Sequence, residues 1–165
     1  MFNITRNMAM TLIALAMLAV FPVTSQAATT VKVDLWDKMG NADMPTNFKY
    51  GMPGVDNSKA PMGIKVSRAS VPQGKVTFDV TNSSKDTIHE MIVIQLAEPG
   101  KPLPYIDNQE RVDEENVPDK GEVSELDPGA SGSLTLDLKP GAYLLICNVP
   151  GHYAAGMWTK FTVTP

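Results

Sequence analysis

Apolar and polar residues alternate along most of this chain in short runs, and each run predicts a strand with one buried face. Residues 31–36 alternate in this way, 75–81 set Val76, Phe78 and Val80 on one side, and 133–138 repeat Leu134, Leu136 and Leu138. Further strands are expected over 64–70, 142–147 and 158–163. Residues 87–96 are apolar on both faces, as expected of a strand held between two layers, and His89 lies in its first half. Turn chemistry separates the runs at Pro72-Gln73-Gly74, Ser83-Ser84-Lys85-Asp86 and Lys139-Pro140-Gly141. Residues 39–63 have little periodicity and many turn residues, which predicts a long ordered loop, and three prolines within 98–104 stop regular structure there. No internal repeat and no persuasive helical period occur after residue 27. The expected fold is all-β, a Greek-key β-sandwich.

The amino-terminal 27 residues follow a different pattern. Arg6, an apolar stretch centred on 12–21 and the small-residue site Ser25-Gln26-Ala27 predict a cleaved secretory signal peptide. One domain is expected to follow, with 28–63 as an amino-terminal strand plus a Met-, Pro- and Gly-rich loop and 64–165 as the core. Such a chain is exported, without membrane insertion after cleavage, and is expected to be a monomer. The formal net charge is −4, and losing Arg6 makes the remainder more acidic, which excludes nucleic acid as a natural partner. Eight of the acidic residues fall within 107–125, against Arg111 and Lys120, forming either a solvated insertion or a docking face for a basic partner.

A single cysteine cannot form an internal disulfide, and in an oxidising compartment a free thiol is exposed to damage unless something ligates it. Cys147 opens the run Cys147-Asn148-Val149-Pro150-Gly151-His152-Tyr153-Ala154-Ala155-Gly156-Met157, so thiolate, imidazole and thioether share one loop. The chain's other histidine is His89. A His2Cys set with a weak axial Met holds Cu(I) and Cu(II) with little rearrangement, so His89, Cys147, His152 and Met157 predict one redox-active copper. Taken singly, each residue has a simpler role: Cys147 and Met157 as core, His152 as a solvated turn residue. Zinc also accepts Cys and His. Met39, Met44, Met52 and Met62 lie close in sequence and suggest a second, exchangeable Cu(I) site, although Met equally fills gaps beside Trp36, Phe48 and Tyr50.

The spacing Cys-x4-His-x4-Met, after an apolar strand and a distant upstream His, resembles the cupredoxins, with a ligand loop similar to the rusticyanin branch. The runs Asp86-Thr87-Ile88-His89-Glu90-Met91-Ile92-Val93 and Gly121-Glu122-Val123-Ser124-Glu125-Leu126 look closest to the periplasmic copper-tolerance cupredoxins of the CopI type. That resemblance implies a type 1 copper protein of the periplasm contributing to copper tolerance, with copper ions or a copper-handling protein as partners. The alternative is a diffusible electron carrier serving a redox protein. An enzyme is not expected, because two histidines are too few for a multicopper cluster and one cysteine is too few for an internal binuclear centre. One position departs from the pattern: many electron-transfer members place Asn after the first His, where this chain has Glu90. Strand alternation predicts that Glu90 turns away from His89 to become an edge or surface carboxylate.

Overall fold

The computed structural model of the chain describes residues 28–38 and 44–165; the leader expected over 1–27 and Met39 lie outside the described residues. Among the described residues eleven strands follow one another: β1 (Thr29–Asp37), β2 (Met62–Val66), β3 (Ser70–Pro72), β4 (Gly74–Asn82), β5 (His89–Gln95), β6 (Tyr105–Ile106), β7 (Arg111–Val112), β8 (Asp119–Leu126), β9 (Ser131–Leu138), β10 (Gly141–Ile146) and β11 (Trp158–Thr164). One sheet runs β2-β1-β4-β9 and the other β3-β11-β10-β5-β8, with β6 and β7 as a small separate hairpin. The chain is an all-β sandwich, as the period-2 pattern predicts.

Val31, Val33 and Leu35 of β1, Val76, Phe78 and Val80 of β4, Met91 and Val93 of β5, and Tyr143 and Leu145 of β10 fill the space between the sheets. Each set is separated by two residues along its strand, so alternate side chains enter this core while their neighbours point outward. On the far face of the second sheet lies another core, built from Ile92, Ile94, Leu144, Ile146 and Trp158 and covered by Tyr50, Val112 and Tyr153. Two covered faces explain why β5 is apolar on both sides.

Two expectations need correction. The run 64–70 is not one strand: β2 ends at Val66 and β3 begins at Ser70, each in a different sheet. The polar break at Ser67 anchors the crossing, since its N–H donates to the Lys32 carbonyl (2.8 Å) and its Oγ accepts from the Lys32 N–H (2.9 Å). The acidic stretch 107–125 is also more ordered than an insertion, because β8 pairs with β5 at the sheet edge. Its charged pattern hid it, with Val123 its one buried residue. Charged residues are what an edge strand carries to discourage further pairing.

Candidate metal centre

The site forms where inward-facing positions of several strands meet at one end of the sandwich. On β5, His89 shares the parity of Met91 and Val93, so its ring enters the space between the sheets. On β10, Tyr143 and Leu145 point inward, and Cys147, one step past the strand, keeps their direction. β5 and β10 are antiparallel neighbours in the register Ile92 opposite Ile146, which brings His89 and Cys147 to the same end.

The loop after Cys147 closes on itself. The Cys147 N–H donates to the Met157 carbonyl (3.0 Å), the Met157 N–H to the His152 carbonyl (3.0 Å) and the His152 N–H to the Val149 carbonyl (3.0 Å). Gly151 and Gly156 take φ of 83° and 100°, conformations that glycine adopts without strain. At Gly156 there is also no room, since a Cβ there would lie 2.5 Å from the Ala60 Cβ. Residues 44–61 strap the loop from outside: the Phe48 N–H donates to the Ala154 carbonyl (2.9 Å), and the Trp158 indole N–H donates to the Phe48 carbonyl (2.6 Å).

These constraints place His89 Nδ1 3.1 Å from His152 Nδ1 and 4.0 Å from Cys147 Sγ, with Cys147 Sγ 3.3 Å from His152 Nδ1. All three side chains are buried. A metal bound at about 2.0–2.3 Å by two nitrogens and one sulfur in a trigonal plane has ligand-to-ligand edges of roughly 3.5–3.8 Å, close to the observed triangle. Burial pushes the Cys147 thiol up to about 12, so without a cation the sulfur keeps its proton. Burial, with the neighbouring His89, lowers His152 to about 4, and burial also lowers His89 against the pull of Asp37. Two neutral imidazoles and one thiol that only a metal ionises make a donor set of the soft-to-borderline kind that copper takes.

Glu90 does turn away from His89, but it is no surface carboxylate. Its side chain lies on the outer face of the second sheet, within electrostatic reach of Arg111, Glu114 and Glu122, and it is 8% exposed. Its Oε1 accepts the Asn148 N–H (3.0 Å), while its own N–H reaches Cys147 Sγ (3.4 Å). Glu90 therefore braces the cysteine loop from the first-histidine strand. Burial pushes its carboxyl up to about 7, against the Asn148 hydrogen bond that lowers it.

Three further residues support the site that pattern reading passed over. Asp37, two positions beyond Leu35 on the inward face of β1, holds a carboxylate oxygen 3.0 Å from His89 Nε2. Asn82, next in the inward series Val76, Phe78 and Val80, donates to the Thr87 and Leu126 carbonyls (both 2.8 Å) and so fixes the approach to His89. Asn148 accepts from the Val112 N–H (2.7 Å) and donates to the Val112 carbonyl (3.0 Å) and Glu114 Oε1 (2.6 Å), fastening the acidic segment to the loop. An inward parity position occupied by a polar residue was the available signal for Asp37 and Asn82.

Of Met44, Met52, Met62 and Met157, three share one core and Met52 is exposed. Met157 is fully buried in the inter-sheet core at the end of the ligand loop. Met62 is buried in the same core, Met44 packs against it near Gly151, and Met52 is 48% exposed in the strap.

The copper binding proteins of the plastocyanin/azurin family match this chain over residues 52–164, a span that contains His89, Cys147 and His152. Auracyanin-B of Chloroflexus aurantiacus is 56% identical over 41 residues, which cover 24% of this chain and 17% of that protein. Rusticyanin from Thiobacillus ferrooxidans is similar in structure, with a TM-score of 0.55 at 18% identity over 85% of this chain and 79% of that one. Auracyanin from Roseiflexus castenholzii aligns over 85% of this chain and 100% of its own, at 21% identity and a TM-score of 0.48. The rusticyanin likeness bears on the fold, and the family match takes in most of the chain together with its donor triangle: the chain belongs to the plastocyanin/azurin family of copper-binding proteins, the cupredoxins.

Proposed function

We propose that this protein is a one-electron carrier in which His89, Cys147 and His152 would hold a single copper, with the Met157 thioether as a weaker fourth donor. The observation that carries the reading is the donor triangle, with edges of 3.1, 3.3 and 4.0 Å. Bound copper supplies the Cu(II)/Cu(I) couple. The chain's own part is to keep the donors in one arrangement for both states, so that little reorganisation accompanies transfer, and to shield them from water. The self-bonded loop, the Glu90 brace and the outer strap all serve that part. Asn148 fastens the acidic segment beside Cys147, so a basic redox partner drawn to these carboxylates would dock close to the metal.

Copper tolerance, with the CopI-type likeness behind it, is the other role that the site chemistry permits. It would gain from a second, exchangeable thioether site, for which Met44 and Met62 at the inter-sheet core, the exposed Met52 and Met39 remain the candidates. Export through a cleaved leader to the periplasm belongs to the same proposal, resting on residues 1–27 alone.

Titration with Cu(II) and then Cu(I), followed by the electron self-exchange rate, tests the reading. An intense thiolate-to-copper band saturating at one equivalent, no further Cu(I) uptake and fast self-exchange are expected. Extra Cu(I) bound with slow self-exchange would transfer the assignment to copper storage, and no band at all would remove the copper site.

A further inference from the structure

We propose that Asp37 is a positioning residue for the copper site: its carboxylate holds the His89 ring with the proton on Nε2, leaving the Nδ1 lone pair for the metal, and biases the couple toward Cu(II). The inference rests on the copper reading of the donor triangle and adds to it a residue from the opposite sheet.

The geometry begins with strand parity. Val31, Val33 and Leu35 line the inner face of β1, and Asp37 is the next inward position, at the end of the sandwich where His89 lies. Its side chain is 5% exposed, that of His89 is 0% exposed, and Oδ2 stands 3.0 Å from Nε2. A carboxylate in that position accepts only, so Nε2 must be the donor. A neutral imidazole carries one proton, and with that proton on Nε2 the free lone pair falls on Nδ1. Nδ1 is the nitrogen that faces Cys147 Sγ at 4.0 Å and His152 Nδ1 at 3.1 Å. The hydrogen bond also ties β1 of one sheet to β5 of the other at the metal end, limiting rotation of the ring when charge on the metal changes.

The electronic consequence has a definite sign. A carboxylate on the remote N–H makes the imidazole a stronger donor and places negative charge near the metal, and both effects favour the more highly charged ion. Removing the charge while keeping an acceptor oxygen shifts the equilibrium toward Cu(I).

Asp37→Asn and Asp37→Ala in the full chain separate these parts. In the copper-free protein, nitrogen-15 NMR of the imidazoles is expected to show His89 protonated on Nε2 in the parent and in Asp37→Asn. In Asp37→Ala that preference is lost. In the copper-loaded protein, Asp37→Asn is expected to shift the Cu(II)/Cu(I) equilibrium about tenfold toward Cu(I), which is ~59 mV upward for a one-electron couple. An unchanged potential in Asp37→Asn overturns the electronic part, even if Asp37→Ala does not fold. The same His89 tautomer in all three proteins overturns the positioning part. A role confined to packing would lower the melting temperature of Asp37→Ala and move neither readout. A parent protein with no thiolate band would reject the copper reading instead, while the copper-free NMR comparison still decides what Asp37 does to His89.

Discussion

At the scale of single residues, the site depends on side chains whose value comes from a partner on another strand. Cys147 is a buried thiol that burial keeps protonated, and a bound metal turns it into a charge-transfer donor. Cys147→Ser is expected to abolish the visible band in the copper titration. Met157→Leu removes only the weakest proposed donor, so copper and colour should persist while the reduction potential moves, as voltammetry would record. Glu90 makes a different contribution, since its oxygen satisfies the Asn148 N–H inside a covered layer. Glu90→Ala strands that donor and is expected to cost about 1–3 kcal/mol in denaturant unfolding, whereas Glu90→Gln keeps an acceptor oxygen and recovers most of the loss.

At the scale of elements, the ligand loop behaves as one unit clamped between the strap and the acidic segment. Gly156 is the point of least tolerance, because positive φ and the 2.5 Å approach to Ala60 act together. Gly156→Ala should therefore destabilise by about 2–4 kcal/mol and loosen the loop, read as a lower melting temperature and a broadened copper spectrum. The acidic segment shows why element boundaries escaped the pattern. β8 is an edge strand with one buried residue, so its sequence lacks the alternation that marked β4 and β9, and only its pairing with β5 makes it a strand. The split between β2 and β3 is of the same kind, since which sheet a segment joins depends on its neighbours.

At the scale of the whole molecule, charge decides which encounters are productive. The net charge is −4, and Asn148 anchors the acidic segment next to the copper loop. Electron transfer with a small cationic complex is expected to slow as salt rises from well below to well above 0.1 M, where the screening length is about 10 Å, and transfer with an anionic complex to quicken. Stopped-flow rates across that range check the sign. Equal salt dependence for both complexes would mean that the segment does not steer.

The sequence alone determined the fold class, because a period of two and turn residues are local signals. It also singled out the candidate donors, because a lone cysteine, two histidines and a loop of fixed spacing leave few other ways to build a soft metal site. The tertiary structure alone decided what surrounds those donors. Whether Glu90 meets water depended on the layer folded over the outer face of β5, which strand alternation cannot reveal. Asp37 became a partner of His89 only when β1 was set opposite β5, across 52 residues of chain. Local pattern tells which way a side chain points, and only the packing of distant segments decides what it meets there.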